Sequence, residues 1–154
     1  MQWKIDASEI IPPLSFQATG IHSGIKESDL DLALIFSETP SIGAALFTKN
    51  SFKAAPVQIS QKHLIQNNGV VRAIIVNSGN ANACTGKTGL NTALRMTEIG
   101  AQLLNISREQ VLVCSTGVIG VPLPLDPIVT NSDYLKQQLS PSGFRTAAQA
   151  ILTT

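Results

Sequence analysis

The sequence predicts a mixed α/β (α+β) domain, and three of its features do so. Residues 70–76 and 111–114 are apolar and β-branched enough to be buried strands. Between them, residues 88–104 repeat their apolar positions at helical spacing. A hydrophobic content of 44% against 14% charged residues, over 154 positions, supplies a core for one domain and argues against disorder. Residues 1–154 are therefore expected to form a single domain with no internal boundary.

Taken in order, residues 1–29 read as loop-rich, with Pro12-Pro13 and with Gly20 and Gly24 punctuating a short strand. Residues 29–36 begin in alternation and finish apolar, as a strand entering a core. Residues 41–48 read as a second strand, and Glu38-Thr39-Pro40 as the turn of an antiparallel hairpin. Gly43, Ala44 and Ala45 predict close packing against another layer. A short strand at 57–59 precedes a short helix from Ser60, with Leu64 and Ile65 inward and Asn67-Asn68-Gly69 as its stop. After the central strand at 70–76, residues 77–86 carry three asparagines and two glycines. That composition makes a polar loop whose amides bond backbone or substrate.

The helix at 88–104 presents Leu90, Ala93, Leu94, Thr97, Ala101 and Leu104, widened by Met96, Ile99 and Leu103. Ser107 to Gln110 has capping-box form and predicts one helical turn. A helical region runs from Asp126 to about Leu139, residues 140–143 interrupt it, and Phe144, Ala147, Ala148 and Ile151 mark a last amphipathic pattern. The sequence stops at Thr153-Thr154 without a stop signal, which reads as a truncation.

A net charge of +1 without a basic run gives no basis for a nucleic-acid or anionic-membrane partner. Residues 1–6 lack the apolar core of a signal peptide, and no apolar stretch approaches a membrane span. Two cysteines, Cys84 and Cys114, are too few for a secreted disulfide framework, so a cytoplasmic setting with reduced thiols at core or near-core positions is expected. With two scattered histidines they form no metal-ligand spacing, and no metal is expected.

The chain is organised around residues 111–120 (Val-Leu-Val-Cys-Ser-Thr-Gly-Val-Ile-Gly). A buried strand that breaks into a small, glycine-bearing turn releases backbone N–H groups from the ladder, and these can face a ligand. Acyl transfer needs such donors where an oxyanion develops, and the Thr116 hydroxyl adds another; the plainer reading is a strand-to-loop exit. Two further motifs compete. Residues 81–88 (Ala-Asn-Ala-Cys-Thr-Gly-Lys-Thr) match a loose phosphate loop, in which Lys87 would reach phosphates and Thr88 would hold Mg²⁺. Against it, Asn77 to Asn80 intervene after the strand, Ala81 replaces the first glycine, and no strand ends in the aspartate of a metal site. Cys84 with His22 or His63 is a weak candidate for a thiol and its base. Lys49 and Lys53 read as solvated loop charges.

Five collinear segments carry a family resemblance: residues 20–26 (Gly-Ile-His-Ser-Gly-Ile-Lys), 44–56, 76–86, 115–120 and 147–154. The sequence resembles the amino-terminal part of the ornithine acetyltransferase (glutamate N-acetyltransferase) family. The resemblance implies layered sheets between helices and a precursor that cleaves itself before a threonine. That new amino-terminal threonine takes acetyl from N-acetylornithine and passes it to glutamate by a ping-pong route in arginine biosynthesis. No cofactor is implied, although acetyl-CoA serves some members as acetyl donor. The resemblance implies an oxyanion hole at Thr116 and Gly117 and substrate contact at Thr153 or Thr154. It also implies a β chain from the same precursor as partner, in an α2β2 heterotetramer. The family's Lys-Gly-Ser-Gly segment and nucleophilic threonine have no counterpart in residues 1–154, so this chain is expected to be inactive alone, and association through apolar edges is expected.

Overall fold

The computed structural model describes residues 11–153, and the fold among them is the mixed α/β one expected. Four strands form one sheet in the order β1 (Phe16–Ile21), β2 (Leu32–Ile42), β3 (Val70–Asn77) and β4 (Val111–Ser115). β1 pairs antiparallel with β2, β2 antiparallel with β3, and β3 parallel with β4. The parallel pair needs a crossover, which α2 (Gly86–Leu104) supplies.

The two faces of the sheet have different covers. Leu32 and Leu34 of β2, Ala73 and Ile75 of β3, and Val111 and Val113 of β4 point toward α1 (Ala55–Gln66) and α2, and form the main core with Met96. On the opposite face Ala18 and Ala33 meet Ala147 and Ala150 of α5 (Phe144–Ala150). All four of these residues are alanine because the helix lies almost on the strand. A Cβ at Gly20 would stand 2.1 Å from the Thr146 carbonyl oxygen, so only glycine admits that approach. Two short helices, α3 (Asp126–Thr130) and α4 (Ser132–Gln137), seat Ile128 and Leu135 in the main core. No described helix is long and apolar enough to cross a membrane.

Several local expectations change. The hairpin at residues 38–40 does not form: β2 runs on to Ile42, and a register shift between Phe36 and Ser41 keeps it paired with β3. Of the residues expected to pack closely there, Gly43 meets Val71, whereas Ala44 and Ala45 are exposed. Residues 57–59 belong to α1, whose first turn takes Pro56 where a missing N–H costs nothing. That helix buries Ile59, Ser60 and His63, leaving Leu64 half-buried and Ile65 exposed. In α2 the buried face centres on Gly89, Thr92, Ala93, Met96 and Gly100. The capping box at Ser107 and Gln110 forms as expected, around a single 3-10 turn.

Both cysteines prove exposed, Cys84 in its loop and Cys114 on the face of the edge strand β4 away from α1 and α2. Yet the outer edge of β4 is not open at its centre. The Ser60 hydroxyl donates to the Val113 carbonyl (2.7 Å) and accepts from its N–H (2.9 Å). His63 Nδ1 lies 2.9 Å from the Val111 carbonyl. The expected apolar edge is thus closed at these residues by side chains of α1.

Asp31, fully buried at the start of β2, holds residues 22–26 in place. Its carboxylate accepts five hydrogen bonds, from the Ser23 hydroxyl and from the N–H groups of Ser23, Gly24, Ile25 and Lys26. Burial alone would push the carboxyl up, but the hydrogen bonds led by Lys26 and Ser23 outweigh it and hold its pKa below the ordinary value. Its contribution to stability is therefore present above the unfolded pKa of about 4 and drains away as pH falls through the lower folded value. Asp31→Asn is expected to lower the unfolding free energy by about 2–4 kcal/mol at pH 7. Urea denaturation should show that deficit shrinking toward pH 3.

Candidate functional site

Because β3 and β4 are parallel, they end side by side, Asn77 opposite Ser115, and two loops leave from the same end of the sheet. The loops then zip together through their backbones. The Thr116 N–H donates to the Asn77 carbonyl (3.1 Å) and the Val118 N–H to the Gly79 carbonyl (3.3 Å). In return the Ala81 N–H donates to the Val118 carbonyl and the Gly120 N–H to that of Ala83, each at 2.9 Å. The asparagines complete the weave. Asn77 Nδ2 donates to the Asn80 carbonyl, and Asn80 Nδ2 to that of Val121. Asn80 Oδ1 accepts the N–H of Asn82. The polar loop of residues 77–86 thus spends its amides on backbone, one of the two uses its composition predicts.

Gly117 sits where the two loops cross closely. Its φ of +134° is a conformation that side chains resist, and a Cβ there would lie 2.3 Å from the Gly79 carbonyl carbon and 2.6 Å from the Asn80 nitrogen. Thr116 is half-buried and Gly117 exposed, so the turn opens on the surface rather than into the interior. The flanking N–H groups of Thr116 and Val118 are engaged. The Gly117 and Ile119 N–H groups and the Thr116 hydroxyl have no hydrogen-bond partner among the described residues. Beneath the turn, two further polar atoms, Asn77 Oδ1 and Ser115 Oγ, are buried and likewise unpartnered among those residues.

The carboxy-terminal segment comes to the same loops from the other side. The Ser78 hydroxyl donates to the Ala150 carbonyl (2.6 Å). Lys26 Nζ donates to the carbonyls of Leu30 and Leu152. A Cβ at Gly79 would stand 3.0 Å from Lys26 Cγ, so Gly79 lies between that lysine and Gly117. Thr153, exposed, lines a cavity of about 480 Å³ with Lys26, Asp29, Leu30, Gln149 and Leu152. That cavity does not include Thr116 or Gly117, and Thr154 lies outside the described residues. The fold thus brings Thr153 and the turn to neighbouring loops without placing them in one cavity.

The other candidates separate. At residues 81–88 the Asn82 side chain donates to the Gly89 carbonyl and accepts from the Thr85 hydroxyl, so the chain's own groups fill the curve a phosphate would occupy. His63 is committed to β4, and His22 Nδ1 lies 2.8 Å from the Asp29 carbonyl; neither is bonded to Cys84. No group of three or more potential ligands among the described residues could hold a metal ion. Lys49 and Lys53 line an open depression with Lys62. Sequence reasoning gave no role to Lys26 or Ser78; in Lys26 the only signal was its place in the Gly-Ile-Lys segment.

Fold and site define an α/β domain whose distinctive feature is a glycine-bearing turn braced at the ends of two parallel strands. The ArgJ family model matches residues 17–154, and the chain belongs to the ArgJ family, whose curated members are named for arginine biosynthesis. It is 51% identical over 140 residues to the arginine biosynthesis bifunctional protein ArgJ of Gloeobacter violaceus, covering 90% of this chain and 34% of that protein. The corresponding protein of Caldanaerobacter subterraneus subsp. tengcongensis is 47% identical, with 92% and 35% covered. The chain thus spans about a third of the length of these curated relatives. Among solved structures, the ornithine acetyltransferase of Mycobacterium tuberculosis complexed with ornithine superposes with a TM-score of 0.89. Its identity is 40%, over 97% of this chain and 81% of that one. The Bacillus halodurans argJ structure gives 0.84 at 41% identity, with 92% and 73% covered.

Asn80→Ala removes the amide that ties the two loops, and is expected to cost about 2–3 kcal/mol. Amide exchange at Ala81 and Val118 should quicken while that of β3 stays slow.

Proposed function

We propose that this chain is the α portion of an acetyltransferase that moves acetyl from N-acetylornithine to glutamate, and that it supplies the oxyanion hole. The observation that carries the reading is the unequal use of donors in the turn. The neighbouring N–H groups are bonded inside the protein, while the Gly117 N–H and the Thr116 hydroxyl stay unclaimed among the described residues on an open surface. Two fixed donors of that kind suit an oxygen that gains charge only in the transition state, because no reorganisation is needed when it forms.

A threonine on the remaining two-thirds of a family-length protein is the attacking group, with its own α-amine as base. Its hydroxyl oxygen adds to the acetyl carbonyl, and the carbonyl oxygen becomes the anion held by Gly117 and Thr116. Collapse expels the ornithine amine, which takes up a proton, and leaves an acetyl ester on the threonine. The glutamate amine then attacks that ester through a second anion in the same place, releasing N-acetylglutamate and restoring the hydroxyl. Thr153 or Thr154 contacts substrate. The partner is the β chain of the same precursor, assembled with this chain as an α2β2 heterotetramer in the cytoplasm. Acetyl-CoA is a second donor the same turn could serve. Residues 1–154 alone are expected to show no transfer.

In the family-length protein, Thr116→Ala should lower kcat by about 10²–10³, and Gly117→Ala by at least as much, because its Cβ would displace the turn and with it the N–H. KM should change far less, and Thr116→Ser should recover most of the loss. Steady-state assay of acetyl transfer to glutamate checks this; full activity in both variants rejects the assignment.

A further inference from the structure

The geometry points to Lys26 as a positioning residue that sets the segment leading into Thr153, one of the two candidates for substrate contact, against the oxyanion turn. This inference rests on the function proposed above and adds to it a residue that neither composition nor resemblance assigns.

Lys26 reaches both halves of the site, and does so further along the carboxy-terminal segment than Ser78, whose hydroxyl stops at Ala150. The Lys26 backbone is fixed, because its N–H donates to the buried Asp31 carboxylate at 2.9 Å. Its stem packs on Gly79, whose own carbonyl holds the Val118 N–H and whose backbone Gly117 crosses. Its Nζ donates to the Leu30 carbonyl (3.0 Å) and, 126 residues away in sequence, to the carbonyl of Leu152. The peptide link from that second carbonyl leads directly into Thr153. α5 ends at Ala150, so residues 151–153 have no helical ladder to hold them. Among the described residues, their path is held by the Lys26 bond to the Leu152 carbonyl and by the Leu152 N–H bond to the Gln149 carbonyl, with Ser78 holding Ala150 just before them. Ser78 acts two residues earlier, at Ala150, whereas Lys26 holds the carbonyl of the peptide that enters Thr153.

Lysine suits this task for a physical reason. A four-carbon stem spans from the Asp31-fixed backbone over Gly79 to a distant carbonyl, and several N–H donors on one nitrogen serve two carbonyls together. Bonds from a charged donor are stronger than neutral ones, so the link resists solvent at a half-exposed position. Lys26 does not touch the reacting atoms; it acts through the Leu152 carbonyl.

The test uses the family-length enzyme with N-acetylornithine and glutamate. Lys26→Met keeps the stem on Gly79 and removes the donors; KM for N-acetylornithine should rise about tenfold while kcat stays within about twofold. Lys26→Arg, which still donates, should recover most of the change. A role confined to folding would instead lower kcat per milligram, through fewer folded molecules, and leave KM unmoved. Should Lys26→Met fail to accumulate, Lys26→Leu, which likewise carries no donor, is read in the same way. In a protein whose Thr153 and Thr154 are both alanine, adding Lys26→Met should raise KM little further, because the group it positions is gone. Unchanged KM in Lys26→Met, or full additivity with the alanine pair, overturns the inference and leaves the oxyanion assignment standing. Unchanged KM in the alanine pair itself removes the substrate role of the threonines, and the inference with it.

Discussion

The parallel pairing of β3 with β4 is the constraint from which the site follows. Antiparallel neighbours joined by a hairpin send their connections out at opposite ends, whereas parallel neighbours finish together. Here that means Asn77 beside Ser115 and two loops starting level. Chains that start level can bond to each other in register, and residues 77–83 and 116–120 do so. The crossover through α2 is what the topology requires in exchange, and Met96 and Ala93 make that helix part of the core. Sheet, helix and loops are therefore one mechanical unit, and the turn inherits its rigidity from strands buried well below it.

Around that unit the protein uses side-chain polarity to shape backbone more than to create charge at the surface. Asp31 gathers a run of N–H groups that no strand or helix could satisfy, and so makes a tight loop of residues 22–26. Asn77, Asn80 and Asn82 do the same for neighbouring carbonyls and amides. A buried polar group is stabilising only when it is matched, and matched groups of this kind specify one loop path against many. The two atoms left unmatched among the described residues, Asn77 Oδ1 and Ser115 Oγ, lie directly under the turn.

What the sequence discloses divides along the same physical lines. Periodicity over a long window is decisive, so α2 and β3 are legible to within a residue or two, and the capping box at Ser107 is read correctly because its chemistry is local. Short β-branched stretches mislead: Val57 and Ile59 look like strand but join α1, since packing against β4 outweighs propensity over three residues. The false hairpin at residues 38–40 has a similar origin, for Pro40 signals a turn that a register shift within a longer strand accommodates. Burial at the end of a sheet depends on strand order, which no pattern encodes, and Cys114 is exposed for that reason. The candidate turn is recognisable from Ser-Thr-Gly and its family context. Which donors remain free in it depends on contacts with residues 77–83, and the Lys26 bond crosses 126 positions; neither is visible without coordinates.

The hydroxyl of Ser60 and the ring of His63 have a consequence for how this domain can grow. Terminal strands ordinarily invite another strand, from the same chain, a partner or an aggregate, because their outward amides and carbonyls are vacant. At Val111 and Val113 those positions are already taken by a helix lying alongside. The ladder therefore terminates at this border, which guards against runaway stacking. Anything that enlarges the architecture on that flank must add a layer over a face instead of a rung beside it.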